Sequence, residues 1–182
     1  MGDWFQNLVA PDIAAAEVEA AGGRMFEWLV AEEVVSAETK DCVLGADVGY
    51  PPGPQYVKAT GKTDPHLLSL WTNGLAVISK RTVFHSGQGG FELVCSACNS
   101  KFEPPARWGD AVDEWFKQSG PGDLACPICG ASRSIVEWQH DPPWAFGELG
   151  FEFWNWPQLT EAFIRDFEKR LGSRIVHVYG KL

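Results

Sequence analysis

The sequence predicts a single α+β domain over residues 1–182, built as a mixed sheet with two main helices and a small module inserted at about 91–138. Three observations predict it. Apolar residues recur at helical spacing near both ends of the chain, over 11–31 and 158–171. Short runs rich in β-branched and aromatic residues lie between and after them. Two Cys-x-x-Cys pairs, Cys95–Cys98 and Cys126–Cys129, bracket 27 residues in the middle.

The first helix is expected over 11–31. Pro11 and Asp12 suit a first turn. Ala14, Val18, Ala21, Met25 and Leu29 form its apolar stripe, and Gly22-Gly23 is expected to weaken or break it. Residues 45–54 read as an irregular Gly/Pro loop. Tyr56 to Thr60 reads as a strand, and Asp64-Pro65 opens a short helix. Strands are expected at Leu75–Ser79, Thr82–His85 and Ser134–Trp138, Phe91–Val94 leads into the first cysteine pair, and a short helix is expected over 109–118. Phe151–Trp156 reads as a strand covered on both sides, with Phe151 and Phe153 on one face and Trp154 and Trp156 on the other. Pro157 opens the last helix, in which Leu159, Phe163, Phe167 and Leu171 recur every four residues before Gly172 caps it. Ile175–Tyr179 closes the chain as a strand.

Charge narrows the partners. The net charge is -9, and residues 1–50 hold ten acids against two bases. Phosphate backbones repel such a chain, so nucleic acid is disfavoured and a basic protein surface favoured. Glu27, Glu32 and Glu33 are the candidate partner-binding acids, on the solvated side of the first helix. Asp3 stands where a signal peptide needs bases, and no apolar run approaches the roughly 20 residues of a membrane span, so a soluble, cytoplasmic protein is expected.

The cysteine pattern carries the most specific chemistry. Two residues between paired cysteines let both sulfurs reach one ion, and Gly130 after Cys129 permits a tight turn beside it. Cys95, Cys98, Cys126 and Cys129 are therefore the predicted ligands of one Zn²⁺. The paired motif resembles a zinc ribbon with a long intervening segment. Four protein ligands leave no open coordination position, which makes the metal structural rather than catalytic.

Other candidates are weaker. Gly61-Lys62-Thr63 lacks the glycine five residues earlier that a phosphate-binding loop needs, since Tyr56 stands there. Cys42 sits beside Asp41, which opposes thiolate formation, and reads as a buried structural thiol. His66, His85, His140 and His177 show no ligand spacing, and nothing in the sequence pairs Glu148 with Glu152. No catalytic residue is predicted. Trp138, Trp144, Phe146, Phe151, Phe153, Trp154 and Trp156 fall within 19 residues. They read as a core strand with its covering loop or as a binding surface, with Trp144 the ring expected to be exposed for a partner.

The Tyr50-Pro51-Pro52-Gly53-Pro54 loop, Thr82-Val83-Phe84-His85, the run from Phe151 through Pro157 and the closing Gly180-Lys181-Leu182 resemble a group of small, uncharacterised bacterial proteins with a central zinc ribbon. That resemblance spans most of the chain and implies no activity. In type, a small acidic α+β domain, the chain is also similar to immunity proteins of bacterial toxin systems. This second likeness implies a protein-binding module that neutralises a toxin. The alternatives are a zinc-stabilised enzyme with a site between the loop at 45–54 and the aromatic segment, and, last, a nucleic-acid-binding ribbon.

Overall fold

The computed structural model describes residues 2–182. In chain order the elements are β1 (Trp4–Ala10), α1 (Val18–Ala31), α2 (Val57–Thr60), α3 (Pro65–Leu68), β2 (Gly74–Ile78), β3 (Thr82–Phe84), β4 (Glu92–Val94), β5 (Lys101–Phe102), α4 (Trp108–Lys117), β6 (Asp123–Ala125), β7 (Ser132–Ser134), β8 (Gln139–Asp141), β9 (Ala145–Gly147), β10 (Leu149–Trp154), α5 (Glu161–Leu171) and β11 (Val176–Lys181). The α+β class is as expected. No helix among the described residues is long and apolar enough to cross a membrane.

The main sheet has the order β11-β1-β10-β2 and every pairing in it is antiparallel, where a mixed sheet was expected. Its centre is β1, a segment in which the sequence signals no strand. Gln6 and Asn7 interrupt the apolar run there, yet both are buried. Gln6 survives burial because all its polar atoms are used: Nε2 donates to the carbonyls of Trp156 and Pro157, and Oε1 accepts from Leu159 N–H at 3.0 Å.

Strand alternation divides the sheet into two packed faces. Leu8, Leu75, Phe151 and Phe153 meet Ala21, Met25 and Leu29 of α1 and Phe163, Phe167 and Leu171 of α5. Phe151, Phe153 and Phe167 are fully buried, so Phe→Ala at any of them should cost about 3–5 kcal/mol. The other face buries Phe5, Ala76 and Trp154 with Cys42 and Val43, and Val9 and Val178 with Phe84 and Ala145. Gly150 has no side chain because Phe84 fills the space; an added Cβ would sit 2.4 Å from that ring.

Several local expectations change. α1 continues through Gly22-Gly23, and Gly22 faces Leu149, whose methyl lies 3.3 Å from where a Cβ would be. Tyr56–Thr60 is helical, not extended, and Gly61 ends that turn at φ 67°. Residues 134–138 form a 3-10 turn (Ile135–Glu137) between β7 and β8 rather than one strand. Asn155 takes φ 52°, which reverses the chain after β10 and carries Trp156 to the helix-covered side, away from Trp154. α5 starts at Glu161 under a Thr160 cap rather than at Pro157, and Gly172 ends it at φ 74° as predicted.

The cysteine-bearing segment leaves the body after β3 and returns in β9. These two strands pair, with Phe84 opposite Ala145 and Thr82 opposite Gly147. Between them lie a three-stranded sheet, β5-β4-β8, a two-stranded pair, β6-β7, and α4. Leu93, Cys95, Leu124, Cys126 and Trp138 form a small core of their own.

Candidate metal centre

Each cysteine pair sits on a tight turn between two short strands. β4 delivers Cys95 and β5 follows Cys98; β6 delivers Cys126 and β7 follows Cys129. The turns repeat the same backbone bonds. Cys95 N–H donates to the Ser100 carbonyl at 2.9 Å, and Asn99 N–H to the Cys95 carbonyl at 2.7 Å. Cys126 N–H donates to the Ala131 carbonyl at 2.8 Å, and Gly130 N–H to the Cys126 carbonyl at 2.9 Å. A third donor, Ile128 N–H, points at Cys126 Sγ at 3.4 Å.

These turns bring all four sulfurs within 4.8 Å of one another. Cys95 and Cys129 are 3.8 Å apart, as are Cys98 and Cys126. A tetrahedral ion with metal–sulfur bonds of about 2.3 Å has sulfur–sulfur edges of about 3.8 Å. The cluster therefore fits a single metal ion. Cys95 and Cys126 are buried in the small core, and Cys98 and Cys129 close the outer side.

The two outer thiols, Cys98 and Cys129, do not ionise alike. Hydrogen bonds from the Ser100 side chain and backbone hold the Cys98 thiol down to about 6. The Ala131 backbone favours the Cys129 thiolate, but the neighbouring Cys98 sulfur and burial push it up to about 11. One sulfur thus takes negative charge first and opposes charge on its neighbour. A bound cation removes that opposition and stabilises all four thiolates.

The other sequence candidates are dispersed. Glu27 and Glu33 are exposed. Glu32 is paired with Lys58 at 2.8 Å, which holds its carboxyl below the usual range. Trp144 is half-buried rather than exposed. Its ring packs against Phe91 at 4.3 Å and stacks on His140 at 6.0 Å, and its Nε1–H donates to Ser86 Oγ at 3.2 Å. That indole joins the cysteine segment to the body. Burial also pushes the Cys42 thiol up, with Asp41 adding to it. Glu148 is bound to Arg81 at 2.9 Å, far in role from Glu152.

Two groupings had no sequence signal. Asn7 and Glu152 are direct cross-strand partners, and with His85 they line a cavity of about 270 Å³ under Leu44 and Gly45. Burial raises the Glu152 carboxyl above its usual range, although Trp154 Nε1–H donates to it at 2.9 Å. The second grouping is a larger cleft at the β11 edge, lined by Trp156 and His177. Positions so far apart in the chain meet only through strand register. Comparison with models of protein families, with curated proteins and with solved structures finds no match.

Proposed function

We propose that the chain is a zinc-braced protein-binding module, most concretely an immunity or antitoxin protein that neutralises a bacterial toxin. The single observation behind the brace is the four-sulfur cluster, all within 4.8 Å and with two edges of 3.8 Å, a size that suits a Zn²⁺ tetrathiolate. In this reading Cys95, Cys98, Cys126 and Cys129 hold one structural zinc ion within an inserted ribbon at about 91–138. The ion supplies cross-linking of two turns and no reaction chemistry, because no coordination position is left open.

The binding part of the reading rests on charge display. Glu17, Glu19, Glu27, Glu33, Glu38, Asp41 and Asp47 are all exposed in the N-terminal quarter. Glu17, Glu19, Glu27 and Glu33 belong to α1 and its flanks, and an acidic surface there speeds capture of a basic protein. Bases near the cysteine turns are mostly spent on acids: Lys101 on Asp141, Arg107 on Glu114 and Lys117 on Asp113. That pairing favours a protein partner over nucleic acid.

The test is co-purification with a toxin encoded beside the gene and, for the complex, binding compared between the wild-type chain and a Glu27→Gln, Glu33→Gln variant. The reading expects a slower association rate for the variant and a steep loss of rate with salt. Unchanged rates would remove the charge mechanism, and no complex with the toxin would remove the immunity role. A second reading, a zinc-stabilised enzyme, is favoured by the cavity in which Glu152, Asn7 and His85 meet beneath Leu44 and Gly45. Cys42 does not line that cavity; it packs under Trp154 and Ala76.

A further inference from the structure

The cavity of about 270 Å³ beneath Leu44 and Gly45 holds a carboxylate that the fold leaves without a cation. Strand register builds one side of it. Phe5 lies opposite Trp154 and Asn7 opposite Glu152, so these four side chains project from the same face of the main sheet. Leu44 and Gly45 come from the loop after Cys42, and Phe84 and His85 from the end of β3. The volume lies just under the roughly 300 Å³ at which drug-sized sites begin, so an occupant is small.

Glu152 is the one acidic side chain lining this cavity, and no Lys or Arg lines it. Its two oxygens differ. Oε2 accepts Trp154 Nε1–H at 2.9 Å. Oε1 makes no comparable bond and is not among the fully covered atoms, so an approaching donor can reach it. Glu152 forms no ion pair among the described residues, whereas Glu148, at the other end of the same turn of chain, meets Arg81. Burial pushes its carboxyl above the usual range, against the Trp154 indole and the Asn7 amide, which favour the charged form. A buried carboxylate without a counter-charge is costly, and a cation seated beside it offsets that cost.

The remaining polar groups leave room for a cation. His85 Nδ1 accepts Gly87 N–H at 3.1 Å, which requires an unprotonated nitrogen there. Thr82 Oγ1 donates to the Lys80 carbonyl. The segment that covers the cavity carries Glu38, Asp41 and Asp47 against Lys40, all exposed, and that balance favours the approach of positive charge. The other lining is apolar, with Phe5, Leu44, Ile78 and Phe84 available to a carbon body.

We infer that this cavity binds a small primary amine as its ammonium, with the nitrogen donating to Glu152 Oε1 and the carbon body against Phe5, Leu44 and Phe84. No bond is made or broken. The site is independent of the cysteine cluster and of the acidic surface of α1. It names a ligand for the cavity of the second reading above without requiring that reading.

Benzylamine is a suitable probe, titrated by calorimetry into the full chain purified without chelators and followed by the indole N–H signals in NMR spectra. The expected result is saturable, sub-millimolar binding that moves the Trp154 indole signal, since that N–H shares the carboxylate. Benzyl alcohol has the same shape without the charge and should bind at least about tenfold more weakly. Glu152→Gln keeps an acceptor for Trp154 and removes the charge. It should weaken benzylamine at least about tenfold while melting no lower than wild type, because it removes an unpaired buried charge. Absence of saturable benzylamine binding would overturn the inference. So would equal affinity of the wild-type chain for benzyl alcohol, a comparison that needs no variant, or undiminished binding by Glu152→Gln.

Discussion

Asn99 and Gly130 occupy the same position in the two cysteine turns: each adopts a left-handed φ, 57° and 74°, and each donates its N–H to the carbonyl of the cysteine four residues before it. Glycine adopts that conformation freely, and asparagine is among the few other residues that tolerate it. Open space surrounds Gly130, so backbone strain alone should govern its replacement. Gly130→Val should destabilise the protein by about 1–2 kcal/mol, whereas Asn99→Gly should be close to neutral. Denaturant titration of both variants in zinc-containing buffer reads the difference.

Removing one sulfur should act locally. Cys126 is 2% exposed and belongs to the small core with Leu93, Leu124 and Trp138. Cys126→Ser, or chelation of the wild-type chain, should release hydrogen-exchange protection in β4 through β8 first. The β1 and β10 amides, buried between α1, α5 and the opposite face, should stay protected longer. Simultaneous loss of protection in both regions would show that the cysteine segment and the main sheet unfold as one unit.

Arg81 ties the same segment to the body. Its Nη1 meets Glu148 Oε1 at 2.9 Å, its Nε–H donates to the Trp115 carbonyl at 2.9 Å, and its guanidinium lies 3.8 Å from the Trp115 ring centroid. Both charged side chains are 24% exposed, which moderates but does not erase the penalty for breaking the pair. Arg81→Ala should therefore cost about 1–3 kcal/mol, and Arg81→Lys should recover only part of it, since an ammonium cannot reproduce the stacked fork. Chemical denaturation of the two variants is the measurement.

His140 gives the stability a pH dependence of predictable sign. Burial among Phe91, Trp108, Trp144 and Phe146 lowers its pKa from 6.5 to about 4. Between those values the unfolded chain binds the proton and the folded one does not. Stability is therefore lost as pH falls from 6.5 towards 4, by up to about 3 kcal/mol from this group. Protonation of the four clustered thiols would also release a bound metal in acid. The contribution of His140 is the difference in acid sensitivity between wild type and His140→Phe, and the variant should show the shallower slope.

Legibility followed locality. The cysteine turns, α3, α4, the β10–α5–β11 run and the Gly172 cap were readable because their signals are spacing and capping within a few residues. β1 was not, because Gln6 and Asn7 break its pattern and their burial depends on partners about 150 positions away. Tyr56–Thr60 looked extended from its β-branched Val57 and Thr60. It is helical because Tyr56 packs edge-on to Trp156, and Ala59, fully buried, accepts the Thr160 N–H. Trp144 looked exposed in its proline loop, but the rings that cover it come from β4, α4 and β8 flanks that only the folded cysteine segment assembles.

Asn155 shows how a single residue escapes such reading. Its left-handed turn is held by Nδ2 donating to Asp3 and to Thr72, and by Oδ1 accepting Trp4 N–H at 2.9 Å. Those contacts hold the Asp3 carboxyl below its usual range, with the Thr72 hydroxyl the larger cause. Replacing Asn155 by Leu should cost about 2–4 kcal/mol, because it leaves buried partners unmatched as well as straining the turn. Asn155→Gly should cost less than Asn155→Leu in a thermal melt, since it relieves the backbone strain.

In the function proposed above, Cys95, Cys98, Cys126 and Cys129 hold one zinc ion that braces the fold. Elemental analysis of protein purified without chelators, alongside the Cys126→Ser variant, tests it most directly. About one zinc per wild-type chain is expected, with loss of the metal and a lower melting temperature in the variant. A wild-type chain that carries no zinc and melts unchanged after chelation would contradict it.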